Sequence, residues 1–260
     1  MKHIILGVLL SGIALTSCKK KEVIYGATPS TSKFKIGTET TASNKTVTLY
    51  ADEANLYTGS NNLYVKLEDA AGAPINSAMV MYMPMMDMTT MSHSSPAESP
   101  TYNDSLKMYE GLAVFTMPST LGTWTLEVTV DGETVVFEIN VMNSDTKMVG
   151  TYTGTDGASY VISLVRPVNW EVGFNDVEIM IHRRASMMSF PADDGFDIVM
   201  TPEMVSMGHG SPDNISPTLI GNGHYKGVVN YTMSGDWRLH FQLLKNGVEI
   251  HNDAYLDILF

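Results

Sequence analysis

Residues 109–117 read Tyr-Glu-Gly-Leu-Ala-Val-Phe-Thr-Met, and residues 225–233 read Tyr-Lys-Gly-Val-Val-Asn-Tyr-Thr-Met. On an extended strand, Tyr109, Gly111, Ala113, Phe115 and Met117 share one face, as do Tyr225, Gly227, Val229, Tyr231 and Met233. That face is apolar and is expected to point into a core. The offset that relates the two stretches carries outward from them. It pairs Met88 with Met204, Met91 with Met207, His93 with His209, Pro96 with Pro212 and Met108 with His224. A short deletion after Met117 then brings Trp124 onto Trp237. Matches in such rare residue types mark an internal repeat.

The rest of the chain has the same period. Thr46 to Tyr50, Leu63 to Leu67, Trp124 to Val128, Val177 to Ile181 and Trp237 to Phe241 all alternate. Asp131-Gly132 and Asn246-Gly247 between apolar runs are hairpin turn pairs. About seven short strands in roughly 100 residues describe an immunoglobulin-like sandwich. The expectation is an all-β chain of two tandem immunoglobulin-like β-sandwich domains, at about 43–142 and 150–260, joined by a linker at 143–149.

The N-terminus reads as an address. Lys2 precedes an apolar run from Ile4 to Leu15, which ends in Leu15-Thr16-Ser17-Cys18. The run falls short of the ~20 residues that a membrane helix needs. Leu-Thr-Ser-Cys after such a run resembles the bacterial lipoprotein signal. That resemblance implies a signal peptide at 1–17, a lipidated Cys18 at the membrane, and a chain held in the bacterial cell envelope facing the periplasm. Residues 18–42, rich in Lys, Ser and Thr, read as a flexible tether. Cys18 is the only cysteine, so the folded part has no disulfide and no thiolate to offer a metal. Lys and Arg number 16 against 28 Asp and Glu, for a net charge of −12. No basic stripe follows Lys19-Lys20-Lys21, which argues against a nucleic-acid partner.

Methionine is the unusual residue. Met79, Met81, Met83, Met85, Met86, Met88 and Met91 crowd together just before His93, and Met204, Met207 and His209 form a thinner copy. Thioether sulfur and neutral imidazole are soft donors that suit Cu(I). Methionine also fills cores. Met79, Met81 and Met83 alternate and are expected to be mostly core, with Pro84 ending the strand or sitting at an edge. The stretch from Met86 to Pro96 lacks strand periodicity and reads as a long loop. The candidate copper ligands are Met88, Met91, His93, Met108 and Met117 in the first half, and Met204, Met207, His209, His224 and Met233 in the second. Met117 and Met233, at strand ends, read first as core and only second as ligands. Zinc would call for more nitrogen, thiolate or carboxylate donors. His182, His240 and His251 have no donor cluster beside them and read as surface residues.

A family resemblance follows from these residues. Met-Pro-Met-Met-Asp-Met at 83–88 with Met91-Ser92-His93, and Glu203 to Pro212 with Gly223-His224-Tyr225-Lys226-Gly227, resemble the YtkA-like domains. These are small extracytoplasmic β-sandwiches, similar in pattern to FixH-type proteins and associated with copper handling. The resemblance implies a copper-binding protein that transfers, buffers or exports the ion, with an envelope cuproprotein or a metal efflux system as its partner. The rival reading is a metal-free immunoglobulin-like interaction or assembly module. No nucleophile elbow, phosphate loop, dinucleotide fingerprint or metalloprotease helix motif is present, so the expected role is not enzymatic.

Overall fold

The structure is a computed structural model that describes residues 32–165 and 169–260. Cys18, the signal segment and most of the expected tether lie outside the described residues. The first sandwich is built from β1 (Phe34–Thr40), β2 (Thr46–Ala51), β3 (Leu56–Tyr57), β4 (Gly59–Glu68), β5 (Val80–Asp87), β6 (Ser92–Ser94), β7 (Ala97–Asn103), β8 (Met108–Phe115), β9 (Thr123–Val130), β10 (Glu133–Ile139) and β11 (Val141–Met142). The second is built from β12 (Val149–Thr153), β13 (Ser159–Leu164), β14 (Gly173–Arg184), β15 (Asp197–Met204), β16 (His209–Gly210), β17 (Ile215–Gly221), β18 (His224–Tyr231), β19 (Asp236–Lys245) and β20 (Val248–Leu259).

The two halves have the same topology. A five-stranded sheet in the order β1-β2-β4-β8-β7 faces a four-stranded sheet in the order β10-β9-β5-β6. In the second half the orders are β12-β13-β14-β18-β17 and β16-β15-β19-β20. The chain changes sheets after β4, β6 and β8, and again after β14, β16 and β18. This is the Greek-key path of an immunoglobulin-like sandwich. Both turn pairs close two-residue hairpins with positive φ at each position, 50° and 89° at Asp131-Gly132, 50° and 76° at Asn246-Gly247.

The repeated strands are β8 and β18, and their inner faces are buried as far as Phe115 and Tyr231; Met117 and Met233 lie beyond the strand ends, where Met117 is half-buried and Met233 is exposed. Their shared glycine has a steric cause. A Cβ on Gly111 would lie 2.9 Å from the Glu98 carbonyl and 3.0 Å from Pro100, and one on Gly227 would lie 2.8 Å from Pro217. In both places the neighbouring strand bulges inward, between Glu98 and Thr101 and between Ile215 and Thr218. Trp124 and Trp237 fill the two cores, each 5.2 Å from an aromatic ring of the repeated strand, Phe115 and Tyr231.

Three expectations change. The first sandwich begins earlier than residue 43: β1 lies inside the stretch read as tether and pairs with β2 from Phe34 opposite Ala51 to Thr40 opposite Thr46. Its composition is that of an exposed edge strand, with only Ile36 packed against the core. Met79, Met81 and Met83 are not core. Val80, Tyr82, Pro84 and Met86 take the inward positions of β5, so the other methionines face outward. Pro84 sits where β5 has no partner on its β6 side, since that pairing starts only at Met85. His182 is not a surface residue; it is 3% exposed on β14.

The sandwiches share a joint. Leu112 and Val114, on the outer face of β8, pack with Val161 and Met180 of the second sandwich. The Ser60 hydroxyl donates to the Leu164 carbonyl at 2.6 Å. His224 reaches back to Glu98 of β7 at 2.8 Å and to Glu178 of β14 at 2.6 Å, and the Asn222 amide donates to the same Glu98 oxygen at 2.7 Å.

Candidate metal centre

The inner face of each four-stranded sheet carries a row of three side chains at the same end. In the first sandwich Met86 lies opposite His93 of β6 on one side and opposite Trp124 of β9 on the other. In the second, Met204 lies opposite His209 and Trp237. Directly opposed residues on antiparallel strands bring their Cβ atoms to about 4.5–5.5 Å. Sulfur, imidazole and indole therefore meet in one corner twice. The ring centroids of His93 and Trp124 are 5.9 Å apart with planes at 89°, and those of His209 and Trp237 are 5.7 Å apart at 82°.

A second methionine is tied to each corner through its backbone. The indole N–H of Trp124 donates to the Met117 carbonyl at 2.8 Å, and that of Trp237 to the Met233 carbonyl at 2.9 Å. The two hydrogen bonds fix where the chain leaves β8 and β18. A glycine completes each corner. A Cβ on Gly122 would lie 2.9 Å from the Met86 methyl, and one on Gly235 would overlap the Met204 methyl.

The imidazoles are held in one tautomer. His93 Nδ1 is 2.8 Å from the Ser94 carbonyl, and His209 Nδ1 is 2.9 Å from the Gly210 carbonyl. A carbonyl only accepts, so Nδ1 carries the ring hydrogen and Nε2 of the neutral ring keeps its lone pair. His93 is 9% exposed, and its Nε2 is buried with no hydrogen-bond partner among the described residues. A buried acceptor in that condition costs about 1–3 kcal/mol, a cost that a bound cation would remove.

The geometry redraws the candidate set. His93, His209 and Met204 belong to the corners; Met117 and Met233 reach them through their backbone carbonyls, the first with its side chain half-buried and the second 38% exposed. Met86 replaces Met88 as the partner of Met204, because the β5–β6 hairpin is longer than its counterpart. Met88 is half-buried against the first core, and its N–H donates to the Met91 carbonyl at 2.9 Å inside that hairpin. Met91 and Met207 are exposed at the hairpin tips. Met108 and His224 do not reach the corners. They begin strands whose far ends lead to Met117 and Met233, and the seven steps of about 3.4 Å along each strand already carry the chain roughly 24 Å away. His224 is instead held between two carboxylates at the joint, and Glu98, the larger influence, and Glu178 raise its pKa against the opposing effect of burial. The signal that could have identified Met86 is register: the residue opposite the repeated tryptophan is the one the two copies share.

Among the described residues no three His, Asp or Glu side chains come together as a metal-ligand group. The donors that strand register sets side by side are one methionine and one histidine in each sandwich. That is a soft, neutral, low-coordinate set, and it fits Cu(I) or Ag(I) rather than zinc or calcium.

No protein-family model and no curated protein matches the chain, so the YtkA-like resemblance rests on its motifs alone. Among solved structures, the chain is similar to FdeC, a broadly conserved Escherichia coli adhesin, at 14% identity and a TM-score of 0.28, over 85% of this chain and 66% of that one. It is also similar to invasin, a bacterial integrin-binding protein, at 14% identity and a TM-score of 0.30, over 78% of this chain and 37% of that one. A chimeric titin Z1Z2 tandem follows at 13% identity and a TM-score of 0.20, over 76% of this chain and 90% of that one. The chain thus spans just under two thirds of the FdeC structure and little more than a third of invasin. Superposition at these scores does not amount to a shared fold over the matched length. It is the strand order of both halves that makes the chain a tandem of two immunoglobulin-like β-sandwiches.

Proposed function

We propose that this chain is a metal-binding protein of the cell envelope, anchored through Cys18, that holds Cu(I) in two corners of matching strand register. Met86, His93 and Met117 would hold one ion, and Met204, His209 and Met233 the other. One observation carries the reading: the buried, unpartnered Nε2 of His93, fixed in its metal-binding tautomer beside a buried thioether. The bound ion supplies no reaction of its own. The chain's part is to present lone pairs, cover the first corner with Trp124, and release the ion one ligand at a time. Such a site suits transfer, buffering or efflux, with an envelope cuproprotein or efflux system as the receiving partner.

A metal-free interaction or assembly module is the second reading. Ile215, Leu219 and Ile220 favour it, because all three are exposed on the edge strand β17. Anaerobic titration of Cu(I) into the full chain against a chromophoric Cu(I) chelator separates the two. Metal binding at the corners requires the protein to withhold Cu(I) from the chelator, and to withhold less of it when His93 and His209 are both replaced by leucine. If the chelator keeps all its copper in the presence of the wild type, the interaction module stands in its place.

A further inference from the structure

The outward face of β5, with Met79 just before its first residue, carries a ladder of methionines that neither the core nor the corners use. Met79, Met81 and Met83 are 69%, 46% and 39% exposed, and Met85 is half-buried at the end of the row. They alternate, so their Cα atoms stand about 6.8 Å apart on one line. Met has three flexible side-chain torsions, and neighbouring sulfurs on such a line can turn toward a common ion.

The fold does not ask for methionine at these positions, and the second sandwich is an internal control. Aligning Met86 with Met204 sets Met79, Met81, Met83 and Met85 on Asp197, Val199, Thr201 and Glu203 of β15. Those are ordinary residues for the wet face of a strand. The first copy keeps the same backbone and places four thioethers on it. The surroundings favour a cation. Opposite the ladder on β9 stand Thr129, Glu127 and Thr125, and beyond them on β10 stand Thr134, Val136 and Glu138. None of β5, β9 and β10 contains a lysine or arginine. Lys45, at the base of the sheet, is already paired with Asp131 at 3.0 Å.

We propose that the exposed ladder Met79–Met81–Met83–Met85 is a separate binding surface for soft monovalent cations, Cu(I) or Ag(I), held by thioether sulfur alone. It shares the donor chemistry of the corners but none of their atoms, and it binds whether or not they do. An exposed all-thioether row exchanges its ion readily, which makes it an entry surface. Met85 leads to the strand end where Met86 points inward.

The test is Ag(I) titration of the full chain carrying 13C-methyl methionine, in chloride-free buffer, followed by NMR. Three proteins are compared: wild type, the ladder variant Met79→Leu/Met81→Leu/Met83→Leu, and the corner variant Met86→Leu/His93→Leu/Met204→Leu/His209→Leu. The leucines keep the apolar bulk, and the ladder positions face solvent, so the ladder variant retains the fold. The proposal expects the methyl signals of Met79, Met81 and Met83 to move on Ag(I) addition in wild type and corner variant alike. It also expects the ladder variant to take up at least one equivalent less. Ladder signals that stay in place while those of Met86 and Met204 move would overturn it and leave the corners standing. Movement of the ladder alone would sustain it and remove the corner reading.

Discussion

Met86 and Met204 occupy one and the same place in their sandwiches, each opposite a histidine on one side and a tryptophan on the other. Met88, two residues along, lies in the longer hairpin of the first copy. Met86→Leu is therefore expected to weaken Cu(I) binding at the first corner about tenfold or more, about 1.4 kcal/mol. Met88→Leu should have a clearly smaller effect. Competition titration of the two single variants measures the contrast, and equal losses would contradict the pairing of Met86 with Met204.

His93→Leu separates binding from stability. The substitution removes an unpartnered buried nitrogen and also the Nδ1 hydrogen bond to Ser94. Relief of the first is worth about 1–3 kcal/mol and loss of the second about 1 kcal/mol, and they act in opposite directions. The metal-free variant should stay within about 1 kcal/mol of wild type in urea denaturation, while Cu(I) binding at that corner is lost. A large loss of metal-free stability would mark His93 as a structural residue.

Gly235→Ala should damage the second corner from behind. Its φ of 149° is one that side chains rarely adopt, and the new methyl would overlap that of Met204. Overpacking of this kind costs about 1–3 kcal/mol. Met204→Ala carries a cavity cost of its own, but it removes the obstructing methyl, so the double variant should lose less than the two single losses added together. A double variant less stable than the sum of its parts would contradict the contact.

The joint between the sandwiches should respond to pH on both sides of neutrality. Glu98, first, and then Glu178 raise the pKa of His224 above its ordinary value. Its contribution is complete below about pH 6.5 and is lost as pH rises through the raised value. Burial lowers the pKa of His182 to about 4, against the pull of Glu98. The unfolded chain binds that proton first, so stability falls as pH drops from about 6.5 toward 4, by on the order of 3 kcal/mol. His224→Gln should flatten the alkaline limb of a denaturation profile, and His182→Leu the acid limb. A profile that both variants leave unchanged would contradict the assignment.

Much of the fold was legible, and the failures have physical causes. The turn pairs Asp131-Gly132 and Asn246-Gly247 and the alternation of β8 and β18 were enough to read paired sandwiches. Alternation also placed Met79, Met81 and Met83 on one face, but a period of two does not say which face is wet. Apolar Met argued for the inside, while Val80, Tyr82 and Pro84 hold it. Leu112 to Phe115 and Ile179 to Ile181 are unbroken apolar runs, the pattern of strands covered on both sides, and the joint covers them. The meeting of Glu98 with His224 was not legible, because two domains must dock before it exists. The corner was half legible: histidine, tryptophan and the second copy's Met204 were in view, but hairpin length hid Met86.

The most direct measurement is copper-edge X-ray absorption of the full-length Met79→Leu/Met81→Leu/Met83→Leu protein, loaded with Cu(I) under anaerobic conditions so that the corners alone report. Two corners built from methionine and histidine predict a coordination shell of sulfur together with one imidazole per copper. A shell of light atoms without sulfur, or copper that washes away on desalting, would contradict them.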